Sequence, residues 1–276
     1  MKIWHQSFTV LQDLPAYVTA LKERIGEVVR PDSEVVLHGQ IPGTYSTDYP
    51  GADLAYGVLY WMHGLQWLAA AREAEKQGFD AMVLASIAGP MAREIRTIVD
   101  IPVVGYGEAA FNLAGLYGRR AGMLFFIKDR LDFWPEQLKS WGMESRFVGI
   151  EHANVTFRDV LTGHIDPAQR DEIVGRIVAQ GEKLVRECGA DVIVPGEMPM
   201  NLLLAKAGVT EIGGATVIDG IAASFKTAEL LVDLRKTSGM KPSSHGYFHA
   251  SPDRKRFEQV LEFYGVQNLG SRIPSA

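Results

Sequence analysis

Gly78-Phe-Asp-Ala-Met-Val-Leu-Ala-Ser86 and Gly189-Ala-Asp-Val-Ile-Val-Pro-Gly-Glu197 are one phrase written twice. Each is a Gly-x-Asp step into an apolar run that ends at a reactive side chain. A second apolar run closing on glycine follows each: Pro102-Val-Val-Gly-Tyr-Gly107-Glu-Ala-Ala in the first copy, Thr216-Val-Ile-Asp-Gly220-Ile-Ala-Ala in the second. A supersecondary unit that recurs once at such a separation implies two like halves, since a solenoid requires at least three shorter repeats. A duplicated α/β unit brings its strand ends face to face across a cleft. Ser86 and Glu197 stand at the same offset from Gly78 and Gly189, so they are the first candidates to oppose one another there.

Outward from the repeat, short apolar runs alternate with longer helix-like stretches, the pattern of a parallel-sheet α/β protein. Strands are expected near Lys2–Trp4, Glu34–Leu37, Ala81–Ala85 and Val103–Val104 in the first half. In the second they are expected near Ala121–Ile127, Arg146–Ile150, Val192–Val194 and Thr216–Ile218. Four strands per half agree with the duplication. Leu54, Val58, Trp61, Leu65 and Leu68 follow a three-to-four spacing, which predicts an amphipathic helix ending at Lys76-Gln77-Gly78. Its second-half counterpart opens at Asp166-Pro167-Ala-Gln169, with Gln169 at capping-box distance, and buries Ile173, Ile177 and Leu184.

The chain has 276 residues, 47% hydrophobic and 22% charged, enough for a substantial core. A formal net charge of −5 gives no electrostatic footprint for nucleic acid or an anionic membrane. A single cysteine, Cys188, excludes an internal disulfide framework and a multi-cysteine zinc site. The opening Met-Lys-Ile-Trp-His-Gln-Ser lacks a signal-peptide core, and Met123–Ile127 is far shorter than the roughly 18–20 apolar residues of a membrane span. A cytoplasmic small-molecule enzyme, assembled as a homo-oligomer, is the expected setting.

The Gly-x-Asp repeats, Val104-Gly-Tyr-Gly-Glu-Ala-Ala110 and Val217-Ile-Asp-Gly-Ile-Ala-Ala-Ser-Phe-Lys-Thr-Ala-Glu229 resemble the aspartate/glutamate/hydantoin racemase superfamily over roughly residues 1–235. The resemblance implies two pseudo-symmetric Rossmann-like α/β halves, each with a four-stranded, mainly parallel sheet and the active site in the cleft between them. The corresponding division is 1–115 with 221–236, then 116–220, then a C-terminal extension over 237–276 that holds a short helix at Pro252–Tyr264. Racemases of this superfamily carry one cysteine after the third strand of each half, one removing the α-proton and the other returning it. Here those positions hold Ser86 and Glu197, and His5-Gln6-Ser7 replaces the usual Asn-containing segment after the first strand.

A thiol with a reference pKa near 8.5 exchanges protons at neutral pH more readily than an unassisted serine hydroxyl. Glu197 can serve as a base, and partial burial would raise its pKa toward the working range. The plain alternatives are a small strand-end residue for Ser86 and a salt-bridged carboxylate for Glu197. His5 and His38 each follow a first-half strand, and with Glu197 they would make a two-His-one-carboxylate set for a divalent ion such as zinc. Each histidine on its own reads first as a hydrogen-bonded site or core residue and second as a metal ligand; His63 reads as a packed or exposed helix residue. Gly39–Gly51 is a long loop leaving the carboxyl end of the second strand, where open parallel sheets bind ligands, and it offers Thr44 and Tyr45. The resemblance implies that the turns at Gly107 and Gly220 open helices whose amide ends hold a substrate carboxylate, which helix-terminus physics allows. No Gly-x-Gly-x-x-Gly or Walker pattern supports a bound dinucleotide.

The leading expectation is a Glu197-based hydrolase, with or without a divalent metal, acting beside a carbonyl of a small carboxylate or cyclic amide, with Ser86 as the opposing hydrogen-bond donor or nucleophile and His5 and His38 as metal ligands or electrophilic stabilisers. The alternatives are an amino-acid or hydantoin racemase with non-cysteine bases, and a non-catalytic small-ligand-binding protein.

Overall fold

The computed structural model describes residues 1–47, 49–130 and 132–276. The first half runs β1 (Lys2–Ser7), α1 (Pro15–Val28), β2 (Glu34–His38), α2 (Gly51–Leu54), α3 (Gly57–Lys76), β3 (Ala81–Ala85), α4 (Ala92–Ile95), β4 (Val103–Gly105) and α5 (Tyr106–Tyr117). The second runs β5 (Ala121–Phe125), α6 (Phe133–Ser140), β6 (Phe147–His152), α7 (Phe157–Ile165), α8 (Pro167–Cys188), β7 (Val192–Pro195), α9 (Met198–Lys206), β8 (Glu211–Ile212), β9 (Ala215–Val217) and α10 (Gly220–Ser238). The extension carries α11 (Arg254–Phe263).

One sheet has the order β2-β1-β3-β4 and is wholly parallel; the other has the order β6-β5-β7-β9-β8. Five strands rather than four make the second sheet, because β8 pairs antiparallel with β9 across the Gly213-Gly214 turn. A two-residue strand has no periodicity to read. The repeated phrases are β3 and β7, the third strand of each half and buried throughout. Residues of parallel strands covered on both faces read as continuous apolar runs, which is what Ala81–Ala85 and Val192–Pro195 are.

The α3 helix forms where the spacing predicts, but with another face inward. Tyr60, Trp67, Ala70, Ala71 and Ala74 are buried, whereas Val58, Trp61 and Leu65 are 66%, 50% and 36% exposed. Small alanines beside one large indole let this helix lie close to the sheet, and Gly64 admits Met91. Asp166 caps α8 by accepting from the Ala168 amide, while Gln169 donates to the Asp166 carboxylate instead of completing a capping box. The α8 helix ends at Gly189, whose φ of 63° suits glycine.

The α10 helix follows the last strand of the second half yet packs on α5, α1 and β3 of the first. The extension also returns to the first half. Its Ala276 amide bonds to the Leu37 carbonyl at 2.9 Å and Arg72 of α3 pairs with Glu258 of α11, so the β2 edge is covered. The loop between β2 and α2 includes Asp48, which lies outside the described residues.

Two glycines allow close approaches around α5. A Cβ on Gly107 would sit 2.1 Å from the Ile87 carbonyl oxygen, and one on Gly220 would sit 2.5 Å from the Tyr106 ring. Backbone oxygen cannot rotate away as a flexible side chain can. Gly107→Ala is therefore expected to cost about 1–3 kcal/mol by overpacking. Thermal denaturation followed by circular dichroism should show a melting temperature lower by roughly 2–4 °C per kcal/mol; an unchanged midpoint would show that this contact relaxes freely.

Candidate functional site

The carboxyl ends of both sheets open on a small cavity of about 80 Å³. Ser86, just past β3, and Glu197, just past β7, both line it, with Tyr17 of α1 and Arg130 beyond β5. Apolar side chains, among them Phe8, Leu54, Phe125 and Phe157, make much of the remaining wall. The volume is well below the ~300–1,000 Å³ of drug-sized sites, so the cavity suits a small compact molecule.

Local structure puts Glu197 there. A Cβ on Gly196 would lie 2.7 Å from the Leu124 carbonyl oxygen, so glycine lets the end of β7 turn against β5. Glu197 is then the N-cap residue of α9, although its side chain caps nothing. Instead Oε1 accepts from the Phe126 amide at 2.9 Å, while Oε2 is buried with no hydrogen-bond partner. Burial is the main influence on this carboxyl and pushes its pKa well above the ordinary range; the amides of Phe126 and Ile127 and the charge of Arg130 act the other way. Burial thus favours the acid form, and one carboxyl oxygen is left without a hydrogen-bond partner.

Ser86 is half-buried, and its side chain makes no hydrogen bond among the described residues. Ser7 Oγ and Thr9 Oγ1, also on the wall, are 2.7 Å apart and occupy each other. Tyr17 is 3% exposed, and burial raises its phenol pKa. The Arg130 guanidinium lies 4.5 Å from the Tyr60 ring centroid and 4.4 Å from that of Phe133. Burial lowers its pKa from the usual arginine value.

The proposed metal ligands are not brought together. In the β1–β2 register His5 pairs with Leu37 and Gln6 with His38, so strand alternation sends the two imidazoles to opposite faces of the sheet. His5 is fully buried beside Phe225, with neither ring nitrogen hydrogen-bonded. His38 stacks on Trp4 at 3.3 Å, its Nδ1 3.1 Å from the Val36 carbonyl. Burial drives their pKa values down to about 3 and about 4, keeping both neutral. Neither lines the Glu197 cavity, and among the described residues no group of three His, Cys, Asp or Glu side chains could hold a metal ion.

Nor do the four expected substrate-binding residues line it. Thr44 Oγ1 donates to the Ile41 carbonyl at 2.6 Å within its own loop, and the Tyr45 hydroxyl donates to the Phe8 carbonyl at 2.5 Å, tying the loop to the end of β1. Gly107 and Gly220 are packing points, as their close contacts show. His63 pairs with Asp53 at 2.9 Å. Sequence reasoning missed Tyr17 and Arg130. The available signal for Arg130 was its place in Phe125-Phe-Ile-Lys-Asp-Arg130, just past a strand's carboxyl end.

A profile of the family described as Asp/Glu/hydantoin racemase matches residues 15–228. A hydantoin racemase from Pseudomonas sp. (strain NS671) is 29% identical over 202 residues, spanning 70% of this chain and 73% of that protein. A second, from Rhizobium meliloti, is 28% identical over 200 residues, 71% and 77% of the two chains. The structure of allantoin racemase from Klebsiella pneumoniae superposes with a TM-score of 0.73 at 21% identity, covering 92% of this chain and 94% of that one, a likeness of fold. None of these comparisons supports the hydrolase expectation.

The raised pKa of Glu197 has a sign that stability measurements can read. The folded state holds this proton more tightly than the unfolded one. Its contribution is complete below about 4.3, the ordinary glutamate value, and is lost as pH rises through the raised folded-state pKa. Denaturant titrations across pH should therefore show wild type losing stability relative to Glu197→Gln by up to about 1.36 kcal/mol per pH unit in that window. A relative gain with rising pH would place an ionised carboxylate in the resting protein.

Proposed function

The chain belongs to the Asp/Glu/hydantoin racemase family, and from that premise we propose that it is an isomerase which removes and returns the proton on the carbon beside a carbonyl in a hydantoin-like cyclic amide. The observation that carries this reading is Glu197: a buried carboxyl with one unpartnered oxygen, sharing a small cavity with Ser86 of the opposite half. By the sequence resemblance, these two residues stand at the family's two thiol positions. The ring class comes from the curated relatives, which are named hydantoin racemases.

Ionised Glu197 takes the proton onto its carboxylate. The C–H electron pair passes into the ring as an enolate, with charge on the carbonyl oxygen. Ser86 serves the other face with its hydroxyl, and its own proton is replaced as Glu197 gives up the one it took. The site is chemically lopsided, a carboxylate facing an alkanol. Exchange from the Glu197 side is therefore the faster half of the reaction, and inversion depends on the hydroxyl.

The test uses enantiopure 5-substituted hydantoins with apolar substituents in D₂O. Deuterium entry at C5 is followed by NMR and inversion by optical rotation. Wild type should show both, with a rate that rises as a group of raised pKa ionises. Glu197→Gln should lose about 10²–10⁴-fold together with that pH dependence, while Ser86→Ala should slow inversion more than exchange. Activity of Glu197→Gln within a few-fold of wild type would remove Glu197 from the chemistry; the absence of wild-type exchange across the panel would overturn the substrate class.

A further inference from the structure

Arg130 is only 6% exposed, and a guanidinium does not shed its charge to escape burial. Its position is built. The turn after β5 returns it to the cavity, and the faces of Tyr60 from α3 and Phe133 from α6 hold it at 4.5 and 4.4 Å. Aromatic faces orient a guanidinium and offset part of the cost of desolvation, but they carry no countercharge. The same loop provides the Phe126 amide, and that donor is already bonded to Glu197 Oε1. An anionic oxygen entering the cavity therefore finds the nearby backbone donor occupied and the guanidinium on the wall. With Phe8, Leu54, Phe125 and Phe157 around it, this charge acts in a poorly screened setting.

We propose that Arg130 is the receptor for a negatively charged oxygen on a trigonal carbon of the bound molecule. Two sources offer that chemistry: a carboxylate of the ligand itself, or the enolate oxygen formed when Glu197 removes the proton. The enolate source rests on the isomerase reading, whereas anion binding does not.

Binding is tested first, by calorimetry, with phenylacetate and its neutral isostere phenylacetamide as probes. Wild type should bind the carboxylate about 10–100-fold more tightly, as a charge-assisted pair requires. Glu197→Gln should keep this preference. Arg130→Met should abolish it, and Arg130→Lys, which keeps the charge but loses the fork, should retain part of it. Melting curves of the unliganded variants report whether each is folded; if Arg130→Met is not, Arg130→Lys and the wild-type pair decide. Equal affinity for the two probes, no detectable phenylacetate binding, or a preference untouched by substitution would overturn the proposal. Steady-state kinetics on a hydantoin then separates the sources. A loss of about 10²–10³-fold in kcat for Arg130→Lys assigns the enolate, and turnover of this carboxylate-free ring left unchanged assigns a ligand carboxylate. Loss of hydantoin turnover in wild type, with the carboxylate preference intact, would sink the isomerase reading alone.

Discussion

One phenol joins the two halves. The Tyr106 hydroxyl, carried by α5 of the first half, lies 2.8 Å from the Pro195 carbonyl of β7 and 3.1 Å from Asn201 Oδ1 of α9. Asn201 Oδ1 also accepts from the Gly220 amide, and its Nδ2 donates to Asp219 at 2.9 Å. Asp219 in turn caps α10 through the Ile221 and Ala222 amides and holds Arg24 of α1 at 2.6 Å. Tyr106, Asn201 and Asp219 each have partners in this network, and a satisfied buried network specifies one arrangement over its competitors. Glu197 stands two residues beyond Pro195, so the position of the candidate base is inherited from this seam. The repeat's Asp-Gly and Gly-Tyr-Gly signatures are thereby explained by contact: the glycines make room and the polar side chains close the network.

Buried parallel strands declare themselves as apolar runs, so the eight strands that form the matching sets were legible, as was the equivalence of Ser86 and Glu197. The rest failed for identifiable reasons. The α3 pattern contains two plausible apolar stripes, and spacing alone cannot decide that the alanine-rich one meets the sheet. His5 and His38 looked like neighbours because their strands are adjacent, but only the register reveals the opposite parity that separates them. Thr44 and Tyr45 have the right chemistry in a long loop, and they spend it on the backbone carbonyls of Ile41 and Phe8. Arg130 was invisible because nothing local says that the turn after β5 folds back between two aromatic rings contributed by different helices.

The chemical character of the site comes from what surrounds its carboxyl. Burial favours the acid form of Glu197, and the amides behind it and Arg130 beside it favour the anion. A carboxyl poised between such opposing influences is sensitive to what enters the cavity, because a ligand that displaces water or brings charge shifts the balance. The histidines have been taken out of this contest. His5, His38 and His164 are buried, with pKa values lowered to about 3, 4 and 4, and remain neutral imidazoles at ordinary pH.

The route of α10 bears on how the polypeptide is made. The helix is encoded after every strand of the second half, yet it covers β3 and packs on α1 and α5, which are encoded near the beginning. During synthesis, the first sheet leaves the ribosome long before the helix that shields it. Its apolar surface must wait, uncovered, through the translation of more than a hundred further residues. The first half thus lacks part of its cover until α10 is made, and vectorial folding of the amino-terminal part cannot be completed until that last layer arrives. Truncations ahead of Gly220 should accordingly behave as clients of holdase chaperones rather than as smaller soluble domains.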